Sequence, residues 1–125
     1  MISSLGQIML YVNDMEASAQ FWREKVGFER VERQKQGTQI SYIIAPKIDS
    51  KVQLVLHDKP AVTAMNPDMN LVTPSILMSS INLEKTYQEF IAKGINVNPI
   101  IDLGCMKVFN FSDDEDNYFA VREVS

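Results

Sequence analysis

The chain contains an internal repeat, and this repeat restricts its possible folds more than any other feature. Leu10–Glu16 leads into an amphipathic segment that ends at Gly27, and Leu77–Glu84 leads into a similar segment that ends at Gly94. Both segments follow the spacing i, i+3, i+4, i+7 and i+11, which predicts a helix that buries one face. A repeat of this length indicates one module used twice, so we expect function where the two copies face each other. The matching positions, 68 residues apart, are Met15, Ser18, Ala19, Trp22 and Val26 in the first segment and Leu83, Thr86, Tyr87, Phe90 and Gly94 in the second.

Length and charge narrow the class of protein. A chain of 125 residues suits one compact domain. Its net charge of -4, with no cluster of Lys and Arg, argues against nucleic-acid binding. No apolar run is long enough to span a membrane, and the N-terminus lacks the pattern of a signal peptide. Cys105 is the single cysteine, so we expect a cytoplasmic protein in which Cys105 is a small strand residue rather than a nucleophile.

Alternation of apolar and polar residues predicts the order β-α-β-β-β in each half of the chain. The cap before the first helix is predicted in Asn13–Glu16, with Glu16 three residues after Asn13, and Gly27 is the predicted stop. The first module should end near residue 58, the connector should cover 59–72, and the second module should cover 73–125. The predicted elements are strand 5–12, helix 15–26, strands 28–34, 38–45 and 51–57, then strand 75–80, helix 83–93 and strands 95–102, 105–111 and 117–124.

The acidic run Ser112–Asp116 invites comparison with a calcium-binding loop. An EF-hand needs a loop of about 12 residues with Gly at its sixth position and a closing Glu, and this run meets neither condition. We therefore expect a solvated hairpin turn at this point.

Three stretches resemble the vicinal oxygen chelate superfamily, which includes glyoxalase, bleomycin-resistance proteins, fosfomycin-resistance enzymes and extradiol dioxygenases. Gln7–Trp22 and Val26–Phe28 are similar to the start of that family's first module. Phe111–Phe119 is similar to its final hairpin, with Asp116 where a Gly is usual. Asp tolerates positive φ better than most residues, so the turn should survive this change.

The resemblance implies an α+β fold of two βαβββ modules. Each module would order its strands first, fourth, third, second, and the two would form a U-shaped mixed sheet around a cleft, with the helices on the outer face. Metal-dependent members take ligands from the first and fourth strands of each module. The matching positions in this chain are Gln7 and Gln53 in the first module, and Ser75 and Ala120 in the second.

The residues at these four positions are poor metal ligands. Transition metals favour imidazole or carboxylate donors. Gln7 and Gln53 offer only neutral amides, Ser75 binds poorly when protonated, and Ala120 has no donor atom. The sequence therefore predicts a degenerate metal site and no obligatory cofactor, although a divalent metal stays possible.

His57 is the only histidine and follows Gln53 by four residues on the same strand. It should therefore lie about 13 Å beyond Gln53, too far to share a metal ion. We expect a rim histidine before the turn Asp58–Pro60, and the alternative is an acid–base role.

Strand alternation assigns an amphipathic set of side chains to the implied cleft, and such a set suits a small organic ligand. The alternative is that these side chains fill the cleft or contact a neighbouring subunit. The predicted pocket residues are Gln7, Met9, Tyr11, Gln53, Val55, Ser75, Leu77, Tyr118, Ala120 and Arg122.

The sequence therefore predicts a small-molecule-binding protein similar to glyoxalase and bleomycin-resistance proteins. The latter use this architecture without catalysis, to sequester a ligand between modules or across a dimer. One rival is a metal-dependent lyase, isomerase or dioxygenase-type enzyme using Gln7, Gln53 and either His57 or Tyr118. Another is a structural or regulatory dimer without a ligand. A homodimer is expected because module pairs leave sheet edges and apolar faces to be covered.

Overall fold

A computed structural model describes residues 1–124. The chain divides into two compact units, the first comprising Met1–Thr73 and the second beginning at Pro74. Each unit contains one four-stranded mixed sheet and follows the order β-α-β-β-β, so the predicted α+β fold of two βαβββ modules is confirmed. Within residues 1–124, no helix is long and apolar enough to cross a membrane.

The sheet of the first unit has the strand order β1-β4-β3-β2, as the family resemblance implies. β1 pairs with β4 in parallel, and the other two pairings are antiparallel. Gly37, at φ 63°, lies in the turn between β2 and β3. The strands are β1 (Gln7–Val12), β2 (Glu29–Gln36), β3 (Gln39–Ala45) and β4 (Gln53–Asp58).

The first helix spans the predicted residues but changes form halfway. An α-helix, α1 (Met15–Gln20), continues as a π-helical segment, Phe21–Val26, and ends at Gly27 with φ 91°. Adjacent side chains of an α-helix point about 100° apart. The wider turns begin where two large neighbours, Phe21 and Trp22, are both buried.

The cap of this helix is one residue away from its predicted position. The side chain of Asp14, not Asn13, accepts a hydrogen bond from the backbone N–H of Ala17 at 3.1 Å. A capping side chain must stand in extended backbone just before the first helical turn, and Asp14 does so at φ -125° and ψ 97°.

The helix covers one face of the first sheet and buries an apolar core against it. Trp22 is 0% exposed and its ring contacts those of Phe21 and Phe28, so its predicted burial is confirmed. The sheet supplies alternate residues of three strands, because only every second side chain points to the helix. These residues are Leu10, Val12, Tyr42, Ile44, Leu54 and Leu56.

The predicted connector, residues 59–72, contains a helix that the sequence pattern did not predict. α2 (Lys59–Met65) begins at once after β4. Asp58 caps it by accepting from the N–H of Ala61 at 3.4 Å, and Pro60 occupies the first turn, where a missing N–H costs nothing. The predicted turn after His57 is therefore the start of a helix.

The sheet of the second unit has the corresponding order β5-β8-β7-β6. The predicted strand 95–102 is mostly absent: only Ile101–Asp102 forms β6, while Val97 makes an isolated bridge to Phe111. Pro99 cannot donate to a ladder, which explains why pairing is interrupted there. The other elements are β5 (Leu77–Ser80), α3 (Leu83–Ala92), β7 (Lys107–Ser112) and β8 (Tyr118–Glu123).

Aromatic side chains fill the core of the second unit. Phe90 of α3 packs edge-to-face on Phe109 and Phe111 of β7, with ring centroids 5.7 and 5.1 Å apart. Phe119 of β8 lies 5.6 Å from Phe111. Helix α3 thus covers one face of its sheet in the way that α1 covers the first.

The final hairpin turn is less solvated than predicted. Asp113 is buried, and its carboxylate accepts hydrogen bonds from the backbone N–H groups of Glu115 and Asn117 and from the Asn117 amide. Asp116 has φ 61°, so the expected positive φ at this position is confirmed. The run of acidic residues thus includes a buried carboxylate that organises the turn.

Cys105 also differs from its prediction. It is exposed and lies in the bend between β6 and β7, next to Gly104 at φ 85°. The strand begins two residues later, at Lys107.

Candidate functional site

The face of the first sheet opposite α1 carries the first five of the predicted pocket residues. We call it the polar face; alternation assigns to it Gln7, Met9 and Tyr11 of β1 and Gln53, Val55 and His57 of β4. It also includes Ser41 and Ile43 of β3, which pair with His57 and Val55, and Gln34 and Gln36 of β2.

Two amide side chains meet at one end of the polar face. Gln7 and Gln53 are partners in the parallel ladder, as predicted, and Nε2 of Gln7 donates a hydrogen bond to Oε1 of Gln53 at 3.2 Å. This bond uses one donor and one acceptor, so each amide keeps hydrogen-bonding capacity for another group. Gln7 is exposed and Gln53 is partly exposed, so this capacity can be reached from solvent.

The middle of the polar face is apolar. Met9 is 39% exposed, whereas Val55 and Ile43 are 2% and 3% exposed. Val55 was predicted to line the pocket, but its side chain is covered by protein. It therefore forms the floor of this face, and the exposed apolar contact comes from Met9.

His57 lies at the other end of the polar face, within a set of three contacts. Its ring stacks on Tyr11 with centroids 5.4 Å apart. Its Nδ1 lies 3.0 Å from Oγ of Ser41, and its Nε2 lies 3.1 Å from Sδ of Met9. A thioether sulfur can only accept, so Nε2 carries the proton in this arrangement and the Ser41 hydroxyl donates to Nδ1.

Burial disfavours the charged form of the His57 imidazole. Desolvation lowers the pKa of His57 below its usual value of 6.5, because a buried ring loses the water that stabilises its charge. A neutral ring at physiological pH agrees with the tautomer that the Ser41 and Met9 contacts favour. His57 is therefore half-buried and contacted on both ring nitrogens.

A small hollow, which we call the hairpin hollow, adjoins His57 at the β2–β3 hairpin. Its volume is about 100 Å³, and its lining consists of Gln34, Gln36, Gln39, Ser41 and His57. Only His57 of this set was singled out from the sequence. Alternation along strands 28–34 and 38–45 places Gln34 and Ser41 on one face, but this signal could not show that the face was the one shared with Gln53.

The second sheet presents its own exposed set of predicted residues. Leu77 is 45% and Tyr118 is 56% exposed. Arg122 donates through Nε to the Ser79 hydroxyl at 3.4 Å. Ala120 is the ladder partner of Leu77, and it is partly exposed on the same face.

The predicted equivalence of Ser75 and Ala120 with Gln7 and Gln53 is wrong. Ala120 pairs with Leu77, two residues further along than Ser75, which lies before β5. The N–H of Ala120 donates to the carbonyl of Ile76, which fixes this register. Ser75 and Ala120 therefore do not form the side-by-side pair that Gln7 and Gln53 form.

The residues at the family's ligand positions do not fit a transition metal. The only adjacent pair is Gln7 and Gln53, whose neutral amides hydrogen-bond to each other. Neutral amides lack the charge or basic nitrogen that such metals favour. Within residues 1–124, no group of three or more His, Cys, Asp or Glu side chains is arranged to hold a metal ion.

Comparison with known proteins identifies the superfamily that the sequence resembles. The profile of the Glyoxalase/Bleomycin resistance protein/Dioxygenase superfamily matches residues 4–121. YetH, an uncharacterized protein of Bacillus subtilis (strain 168), is 27% identical over 125 residues, which cover 98% of this chain and all of YetH.

Two solved structures share the fold at low sequence identity. TnmS3, an antibiotic binding protein from Streptomyces sp. CB03234, has a TM-score of 0.84 at 22% identity, over 99% of this chain and 98% of TnmS3. A superfamily member from Sphaerobacter thermophilus DSM 20745 has a TM-score of 0.83 at 19% identity, over 98% of each chain.

Proposed function

Because the chain belongs to the glyoxalase/bleomycin resistance protein/dioxygenase superfamily, we propose that it binds a small organic molecule without an obligatory metal. The binding surface in this proposal is the polar face of the first sheet. The ligand's polar group pairs with Gln7 and Gln53, and its apolar body lies on Met9 and Tyr11.

The Gln7–Gln53 pair is the observation that carries this proposal. Two amides that satisfy each other only in part share a sheet face with the exposed thioether of Met9 and, further along the strand, the ring of Tyr11. Apolar walls with a few well-placed polar groups are typical of small-molecule sites. The pair can both donate to and accept from a ligand, so it favours an uncharged carbonyl, amide or hydroxyl group.

The structural neighbours support the same class of function. TnmS3 is an antibiotic binding protein, and nearly the whole of this chain aligns with nearly the whole of TnmS3. At 22% identity this likeness carries the fold, and the proposal takes its ligand chemistry from Gln7 and Gln53 instead.

An enzyme is the second candidate, and His57 is the observation that favours it. Burial keeps this imidazole neutral near pH 7, the form that a general base needs. Both ring nitrogens, however, already contact Ser41 and Met9. To take a proton from a substrate, Nδ1 must first release the bond that it accepts from the Ser41 hydroxyl, so binding is the function that the geometry supports best.

The exposed face of the second sheet is a further part of the proposal. Leu77 of β5 and three residues of β8, Tyr118, Ala120 and Arg122, share that face by strand alternation. We propose that the face of the second sheet binds ligand in its own right, that the protein is a homodimer and that it works in the cytoplasm. A structural dimer without a ligand is the remaining alternative.

A thermal-shift screen against antibiotics and uncharged metabolites tests the proposal. A ligand that binds only the folded state raises the melting temperature by mass action. Hits should be confirmed by calorimetry, and their binding should weaken in Gln7→Leu but not in Gln88→Leu. Absence of any hit whose binding depends on Gln7 contradicts the proposed site.

A further inference from the structure

The polar face has hydrogen-bonding groups at both of its ends. Gln53 and His57 are four residues apart on β4, which corresponds to about 13 Å along an extended strand. Met9 exposes apolar surface between them, beside the buried side chain of its ladder partner Val55. The face is therefore polar, then apolar, then polar along its length.

The far end has room for a small chemical group. The hairpin hollow of about 100 Å³ exceeds the roughly 30 Å³ that one water molecule occupies in the liquid. A carboxamide or a hydroxyl-bearing carbon is of a size that fits such a space. Larger ring systems are too big for this space, so the hollow suits the end of a ligand rather than its body.

The lining of the hairpin hollow is rich in unused hydrogen-bonding groups. The side-chain amides of Gln34, Gln36 and Gln39 form no hydrogen bond with any group in residues 1–124, the part of the chain that the structure describes. Each amide offers two donor hydrogens and one acceptor oxygen. A ligand group in the hollow can therefore both donate and accept.

The charges around the hollow favour an uncharged group. No Lys or Arg lines it, so a carboxylate or phosphate has no cation to pair with. Lys35 lies between Gln34 and Gln36 on β2 and points to the opposite face by alternation. Glu32 shares the face with Gln34 and disfavours an anion further.

We propose that the hairpin hollow is a second polar subsite, which takes an uncharged carboxamide or hydroxyl group at the far end of an elongated ligand. The first polar group of that ligand binds Gln7 and Gln53, and its apolar middle lies on Met9. This inference rests on the proposed function and adds the length and the two-ended polarity of the ligand.

Two probe molecules with the same alkyl chain test the subsite. The first is a linear bis-N-methyl diamide with eight methylene groups, which spans about 13 Å at roughly 1.2 Å per bond. The second is the N-methyl monoamide with the same chain. Calorimetric titration should show that the diamide binds wild-type protein about tenfold more tightly, because its second amide binds with a high effective concentration.

Substitutions at the two ends separate the subsites. Gln34→Met keeps the side-chain length but removes hydrogen bonding, so it should reduce the diamide's advantage to about twofold or less. The affinity of the monoamide should stay unchanged. Gln88→Met, on the exposed surface of α3, is the matched control and should change neither affinity.

The outcomes distinguish this inference from the proposed function. Equal affinities of diamide and monoamide, with both weakened by Gln7→Leu, overturn the second subsite and leave the first. If the tighter binding of the diamide depends on Gln34 and Gln7→Leu has no effect, the site at Gln7 and Gln53 is overturned and the hairpin hollow remains. If neither probe binds, both proposals are overturned.

Side-chain amide NMR signals of Gln34, Gln36 and Gln39 should shift when the diamide is added to wild-type protein. Unshifted signals count against the hollow even where a variant fails to fold.

Discussion

The Nε2 atom of His57 lies 3.1 Å from the thioether sulfur of Met9. A sulfur acceptor on one side and the Ser41 hydroxyl on the other hold the ring in one neutral tautomer. Protonation of the ring would place a hydrogen on Nδ1 as well, so the Ser41 hydroxyl could no longer donate to it. Polar contacts and burial therefore both favour the neutral form.

The first prediction is that His57 titrates below pH 6.5, the direction in which burial shifts its pKa. Between the lowered pKa and 6.5 the unfolded chain binds more protons than the folded one, so stability falls as pH falls through that window. Above about pH 6.5 His57 contributes no pH dependence.

His57 is the only histidine, so its imidazole proton NMR signal can be followed without assignment. Urea unfolding at about pH 7.5 and 5.5 should show a larger loss of stability in wild type than in His57→Gln. A midpoint at or above 6.5 in the NMR titration contradicts the account.

Trp22 gives the second prediction. Because its ring is fully buried against Phe21 and Phe28, Trp22→Ala should lower the free energy of unfolding by about 3–5 kcal/mol. Tyr118→Ala is the control, since that ring is 56% exposed and should cost at most about 0.5 kcal/mol. A loss of under about 1 kcal/mol in Trp22→Ala would be incompatible with the core described here.

Helix and strand identity in the first unit could be predicted because the periodicity is local. Gly27 ends the helix and Gln7 lies beside Gln53, as the sequence predicts. The π-helical form of Phe21–Val26 could not be predicted, because it depends on how two adjacent rings fit the core. The helix after Asp58 was missed, since Pro60 marks a helix start as readily as a turn.

The second module was predicted less well, because a repeat in sequence does not fix the register of strands. The offset between the first strands is 68 residues, but β5 and β8 pair so that Leu77, not Ser75, opposes Ala120. Parallel register depends on contacts between distant segments, and a shift of two residues keeps every side chain on its face. The amphipathic pattern therefore could not detect it.

Metal content provides the third prediction. The amide donors Gln7 and Gln53 and the methyl group of Ala120 favour no transition metal, so elemental analysis should find no stoichiometric metal ion in the purified protein. A chelator should leave the melting temperature unchanged. Close to one tightly bound divalent ion per chain, with a melting temperature that falls on chelation, would overturn this expectation.

The fourth prediction is a homodimer. β1 and β2 are the edges of one sheet, and β5 and β6 are the edges of the other, so unpaired backbone groups are present on each. Such edges, together with exposed apolar side chains such as Ile81 and Leu77, favour association with a second copy. Sedimentation equilibrium at micromolar concentrations should give the mass of two chains, and monomer throughout that range would refute the prediction.

The central claim, that the polar face binds a small molecule through Gln7 and Gln53, is tested most directly by calorimetric titration of a ligand from the thermal-shift screen. Gln7→Leu should weaken binding by about 1–3 kcal/mol, because the ligand's polar group is left buried without a partner. Gln88→Leu removes a similarly exposed amide, bonded to Glu84 at 3.1 Å, and should leave affinity unchanged. Equal affinities of Gln7→Leu and wild type, with both proteins folded, would contradict the account.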